Sequence, residues 1–175
     1  MKTMVNLLMT LMGIIMIAGC APVISKGVLQ QVDSTIRFDS VFQDPEAYQN
    51  KSVLWGGVII TTKNLKEGTL LEILQKPLTY GKAPVTGDES GGRFLALYNG
   101  YLDAALYTKG REVTLAGTIT GRRVQRLDEI DYHYPYLIIK EIHLWEKRSR
   151  ETQTPPPFFY PFPYRYHYWP YYPYF

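Results

Sequence analysis

The sequence predicts an all-β domain with short helices, folded as a small five-stranded OB-like barrel. Three observations predict it. Five strand-like runs fall within roughly 41–147, a little over 100 residues, enough for one compact core. A short helical turn stands between the third and fourth runs, which is the element order of an OB barrel, although an open β-meander or a small sandwich would share it. The first run carries Gly56-Gly57, and closing a small barrel needs strand curvature at defined points.

Ahead of the strands, Val41-Phe42 and Asp44-Pro45-Glu46-Ala47-Tyr48 predict one or two helical turns. Asp44 suits an N-cap and Pro45 the first turn, with Asn50 as the stop. The first strand is predicted over 53–62, rich in β-branched residues, with a bulge or sharp bend at Gly56-Gly57. The second, 69–74, sets Leu71 and Ile73 on one face and Glu72 on the other, and Pro77 ends it. Residues 87–92 are glycine-rich but lack the Lys and the strand-to-helix setting of a phosphate loop, so they read as a flexible loop. The third strand is 93–98. Asp103-Ala104-Ala105-Leu106-Tyr107 then predicts the helical turn, closed at Gly110. The fourth, 112–120, alternates most cleanly: Val113, Leu115, Gly117 and Ile119 against Glu112, Thr114, Ala116, Thr118 and Thr120. The fifth, 136–145, carries Ile138, Ile139, Ile142 and Leu144. Between the last two strands, Arg122, Arg123 and Arg126 with Asp128, Glu129 and Asp131 read as a charged loop. Such a loop borders the ligand face in OB folds, so the three arginines are the candidate ligand-face residues. A solvated mixed-charge hairpin is the plainer reading.

The N-terminus is organised differently. Met1-Lys2-Thr3 is a short positive start, followed by an apolar run over 5–17 broken only by Asn6, Thr10 and Gly13. Ala18 and Gly19 then precede Cys20. This is the charged, apolar and small-residue pattern of an export signal, and the apolar run falls short of the roughly 20 residues a membrane-spanning helix needs. Cys20 is the single cysteine, so no intramolecular disulfide forms. Ile17-Ala18-Gly19-Cys20 resembles the lipobox of bacterial lipoproteins. The resemblance implies cleavage before Cys20, with Ile17, Ala18 and Gly19 as the recognised residues, and a diacylglycerol on the Cys20 sulfur. It further implies an acyl chain on the new amino terminus, and two or more chains anchor stably. Ala21 stands where inner-membrane lipoproteins tend to carry Asp, which implies sorting to the outer membrane by the export and sorting machinery. The expected organisation is a signal peptide at 1–19, a lipidated N-terminus and linker at 20–37, a barrel domain at 38–150 and a tail at 151–175.

The tail is about half aromatic and interrupted by Pro155, Pro156, Pro157, Pro161, Pro163, Pro170 and Pro173. Proline at this frequency forbids helix interiors and sheet ladders and favours extended chain. Tyr and Trp favour places with one wet and one apolar side. Three readings stand: the tail wraps over its own domain, lies in the lipid headgroup layer, or binds a partner such as a glycan by stacking.

Formal net charge is +3, too balanced for a nucleic-acid groove. His133, His143 and His167 lack metal-ligand spacing, and no nucleophile elbow, phosphate loop or dinucleotide fingerprint occurs. No catalytic residue, no metal and no cofactor beyond the covalent lipid are expected.

The lipobox, Asp44-Pro45-Glu46-Ala47-Tyr48, Trp55-Gly56-Gly57-Val58-Ile59, Thr69-Leu70-Leu71-Glu72-Ile73-Leu74 with Pro77-Leu78, Gly92-Arg93-Phe94-Leu95-Ala96, Tyr101-Leu102-Asp103, Val113-Thr114-Leu115-Ala116-Gly117-Thr118-Ile119 and Trp145 together resemble the Slp family of outer-membrane lipoproteins. The resemblance runs from the signal to about Trp145. It implies a Gram-negative outer-membrane lipoprotein with a small β-rich domain, expressed under starvation or stress, and it supplies no catalytic residues. The expected function is non-enzymatic: binding a periplasmic or membrane partner, an envelope protein or a glycan, from a domain facing the periplasm. The alternative is a structural role, organising the outer membrane or bridging it to the cell wall.

Overall fold

Five runs of alternating apolar residues can hide their inner faces only by closing on one another. In the computed structural model they do so as a closed barrel in the order β1-β2-β3-β5-β4. The structure describes residues 22–147. The predicted signal, the motif Ile17, Ala18, Gly19 and Cys20, the sorting residue Ala21 and the aromatic tail lie outside the described residues.

The elements are α1 (Lys26–Leu29), α2 (Phe38–Gln43), a 3-10 turn (Pro45–Tyr48), β1 (Ser52–Leu65), β2 (Gly68–Lys76), β3 (Arg93–Tyr98), β4 (Glu112–Leu127) and β5 (Ile130–Leu144). Neighbours are antiparallel except β3 and β5, which run parallel. This is the pairing of an OB barrel. Every second residue points inward: Val53, Trp55 and Ile59, Leu71 and Ile73, Phe94 and Ala96, Val113, Leu115 and Ile119, Leu137 and Ile139. Helix α2 adds Phe38 and Val41 to this core. Phe38 and Phe94 both meet Trp55 edge-on, with ring centres 4.8 and 5.2 Å away.

The glycine pair does not hold a bulge. The β1–β2 register slips at Ile60, between Ile59 and Thr61. Gly57 instead lets β1 pass against the Leu74 carbonyl, and a Cβ there would also lie 2.8 Å from Ile73 Cγ2. Gly56 leaves room for Leu78. In β4, Gly117 sits at a register slip, where a Cβ would lie 2.9 Å from the Ile138 carbonyl oxygen.

Three local expectations change. Residues 22–37 are not a loose linker. Ile24 is buried, and Ser25 donates from its backbone N–H and its hydroxyl to the Glu141 carboxylate at 3.0 and 2.7 Å. Asp33 N–H reaches the Ser52 carbonyl at 2.9 Å. Lys140 Nζ donates to Gln31 Oε1 and to Ser52 Oγ, each at 2.9 Å. The segment is a strap across the barrel, ordered by contacts distant in sequence. The glycine-rich loop is also pinned: Lys76 Nζ donates to the Gly87 carbonyl at 2.6 Å and Gly91 N–H to Gln75 Oε1 at 2.8 Å. The turn after β3 forms as expected, a single turn with Leu106 and Tyr107 N–H both on the Asp103 carbonyl. Asp44 precedes the 3-10 turn but makes no capping bond with its side chain.

Candidate binding face

The predicted charged loop is strand. β4 and β5 continue past the barrel as a paired ribbon from Gly121↔Tyr136 to Leu127↔Ile130, turning at Asp128, which takes a left-handed φ of 52°. Arg122, Arg123 and Arg126 therefore stand on β4. Adjacent strand residues face opposite ways, so Arg122 and Arg123 do not converge. Arg122 pairs with Glu46 of the 3-10 turn at 2.8 Å. Arg123 lies over the Tyr136 ring, 3.9 Å from its centre, a cation–π contact. Arg126 is exposed, opposite Asp131 in the register.

What the arm does bring together is a row of tyrosines. Tyr132, Tyr134 and Tyr136 alternate along one face of β5, and they meet Leu70 of β2 with Leu95 and Leu97 of β3 in a second apolar cluster outside the barrel. Glu72 holds the row in place. Its Oε1 accepts Arg93 Nη1 at 2.8 Å and the Tyr134 hydroxyl at 3.2 Å. Arg93 N–H donates to the Tyr132 hydroxyl at 3.1 Å. The rings of Tyr132 and Tyr134 lie 4.5 Å apart. Burial, then the Glu72 charge, pushes the Tyr134 phenol up to about 12. Burial also raises Tyr136, and the bond from Arg93 to Glu72 raises the guanidinium. The face is thus an aromatic surface fixed by the bonds of Arg93 and Tyr134 to Glu72 and of Arg93 N–H to Tyr132, with the Arg123 cation stacked on Tyr136. The period-two spacing of Tyr132, Tyr134 and Tyr136 was the sequence signal for it, hidden among charged neighbours.

Beyond this face the ribbon exposes Val124 and Ile130, both more than half accessible. Of the predicted histidines, His133 is exposed on the arm, and His143 meets Trp145 edge-on at 4.7 Å. Among the described residues no group of His, Cys, Asp and Glu is placed to hold a metal ion.

The profile of the Outer membrane lipoprotein Slp family matches residues 17–174. The uncharacterized lipoprotein YeaY of Escherichia coli strain K12 is 30% identical over 117 residues, covering 67% of this chain and 60% of YeaY. The outer membrane protein Slp of the same strain is 31% identical over 125 residues, covering 71% of this chain and 65% of Slp. The match thus spans somewhat under two thirds of either relative. Among solved structures, the small single-stranded DNA-binding protein of Streptomyces coelicolor is similar with a TM-score of 0.35 and 13% identity, covering 53% of this chain and 92% of that one. The chain belongs to the outer membrane lipoprotein Slp family.

Proposed function

We propose that this outer-membrane lipoprotein is a non-enzymatic binding protein. It is lipidated on Cys20, faces the periplasm, and meets an envelope protein through the β4–β5 arm. The carrying observation is the arm itself. A closed barrel has every strand paired on both sides, whereas the ribbon projects with Val124, Ile130 and Arg126 open to solvent. Apolar residues beside exposed charges of both signs, Arg126 with Asp128, Glu129 and Asp131, fit a partner surface that is apolar with a polar rim. The rigid tyrosine face at the root of the arm keeps the ribbon in one orientation, which lowers the entropy cost of docking. The family match opens at residue 17, the first residue of the predicted lipobox, in keeping with an anchor at Cys20.

A photo-crosslinking residue at Val124 or Ile130, introduced in cells, tests the reading. A discrete adduct at these positions, absent at Leu65 and weakened by Arg126→Glu, is the expected result. Equal labelling at all three positions would count against the arm. Cys20→Ala is expected to leave the outer-membrane fraction, and its retention there would count against the anchor.

A further inference from the structure

We propose that the barrel has no spacer beneath it: the strap fixes one side of the domain against the lipid surface. This rests on lipidation at Cys20 as read above. The argument is one of reach. Ile24 is 1% exposed and Ser25 is clamped onto Glu141 by three hydrogen bonds of 2.7–3.0 Å. Between Cys20 and Ile24 the chain advances four residues. Fully extended, that is at most about 14 Å, whatever its conformation.

A domain of 126 residues, 22–147, has a radius of gyration near 14 Å and hence a radius of about 18 Å. The tether is therefore shorter than the radius of the body it holds. A sphere so attached cannot present its far side to the surface; the point of attachment must face the lipid. The strap is pinned further along its length, by Lys140 on Gln31 and by Asp33 on Ser52, so release of the Ser25 clamp frees the chain only as far as Gln31. Lys51 lies on the strap side, since the next residue, Ser52, takes Asp33 N–H on its carbonyl and, on its hydroxyl, the Nζ of Lys140, the neighbour of Glu141. The tip of the arm lies elsewhere. Glu129 is twelve positions from Glu141, about 40 Å of strand. The strap side consequently meets the headgroups, and the arm is carried away from the attachment point.

The acylated sulfur of Cys20 leaves an introduced thiol as the one reactive site, which makes the test clean. Full-length lipidated protein carrying Lys51→Cys or Glu129→Cys is labelled with a fluorophore. It is then placed in phosphatidylethanolamine–phosphatidylglycerol vesicles containing a headgroup nitroxide lipid. Quenching is expected to be roughly threefold stronger at position 51 than at 129. It should fall to the level of 129 when a Gly/Ser spacer of about twelve residues, adding about 20 Å of root-mean-square reach, is inserted after Ala21. The double variant Ile24→Ser with Glu141→Ala, which frees the strap back to Gln31, should act in the same direction as the spacer. Equal quenching at the two positions, or no response to the spacer, overturns the proposal. Intact mass separates the two readings. An acylated chain with a spacer-insensitive label sinks this inference alone, while an unacylated chain sinks the anchor as well.

Discussion

Replacing Gly57 by alanine adds a single methyl, and the structure says where it goes. The new Cβ would overlap the Leu74 carbonyl oxygen and lie 2.8 Å from both Ile73 Cγ2 and the Leu74 carbonyl carbon. The first obstacle is backbone of the paired strand, so no side-chain rotation relieves it. β1 and β2 must separate by roughly an ångström, at the point where Gly57 pairs with Gln75 and Val58 with Leu74. Overpacking costs about 1–3 kcal/mol, and weakening one or two ladder bonds adds about 1 kcal/mol. The total, about 3 kcal/mol, predicts a melting temperature lower by about 10 °C for a domain of this size. Gly27→Ala is the matched control, because nothing lies within 4 Å of its Cβ. Alanine there, in α1, is expected to leave stability unchanged or raise it by up to about 1 kcal/mol. Thermal unfolding of the full chain in mild detergent, followed by circular dichroism, compares the two. A Gly57→Ala melting point within about 2 °C of the parent would refute the close-approach argument.

Other outcomes follow from the same geometry. Thr114 is fully buried, donates to the Lys82 carbonyl at 2.6 Å and accepts Trp145 Nε1 at 2.9 Å. Thr114→Val should cost about 2–3 kcal/mol in denaturant unfolding, and Thr114→Ser should recover most of it. Tyr134, with its phenol raised to about 12, should ionise after an ordinary tyrosine in an alkaline absorbance titration, and Tyr134→Phe should remove that late step. Because its folded value is raised, its contribution to stability is complete below the ordinary tyrosine range and is lost as pH climbs toward 12. Glu46 behaves in the opposite sense. The bond from Arg122 holds its carboxyl below the ordinary range, so that contribution is present above that range and fades as pH falls through the lowered value. Arg122→Ala should therefore lower the neutral side of a melting-temperature profile slightly, leave its acid end unchanged and so flatten the slope between them.

The barrel was legible because burial is periodic. β3 matches its predicted span of 93–98, and the inward residues of β4 are those that alternate in the sequence. The arm was not legible for the same reason. A two-stranded ribbon with solvent on much of both faces needs no apolar alternation, so Arg122 through Asp131 look like loop. The strap escaped because its order is wholly tertiary. Ile24 finds its burial and Ser25 its acceptor on parts of the chain that no local window contains. Gly57 stands out in the sequence as a place where the strand bends or packs closely, and the structure uses it for close packing. The arginines were singled out by charge. Their roles depend on which way each faces, and that could not be assigned until the register of β4 against β5 was known.

The clamp between Ser25 and Glu141 spans 116 positions, and this sets an order of events. A chain that emerges amino terminus first presents Ser25 long before the strand bearing its acceptor exists. Contacts this distant carry a large loop-closure cost and form after local pairings. Strand β5 must also be seated between β3 and β4 before Glu141 is in position. The strap therefore locks last. Until then the segment that carries Ile24 and Ser25 remains undocked, and completion of the barrel is the event that seats it.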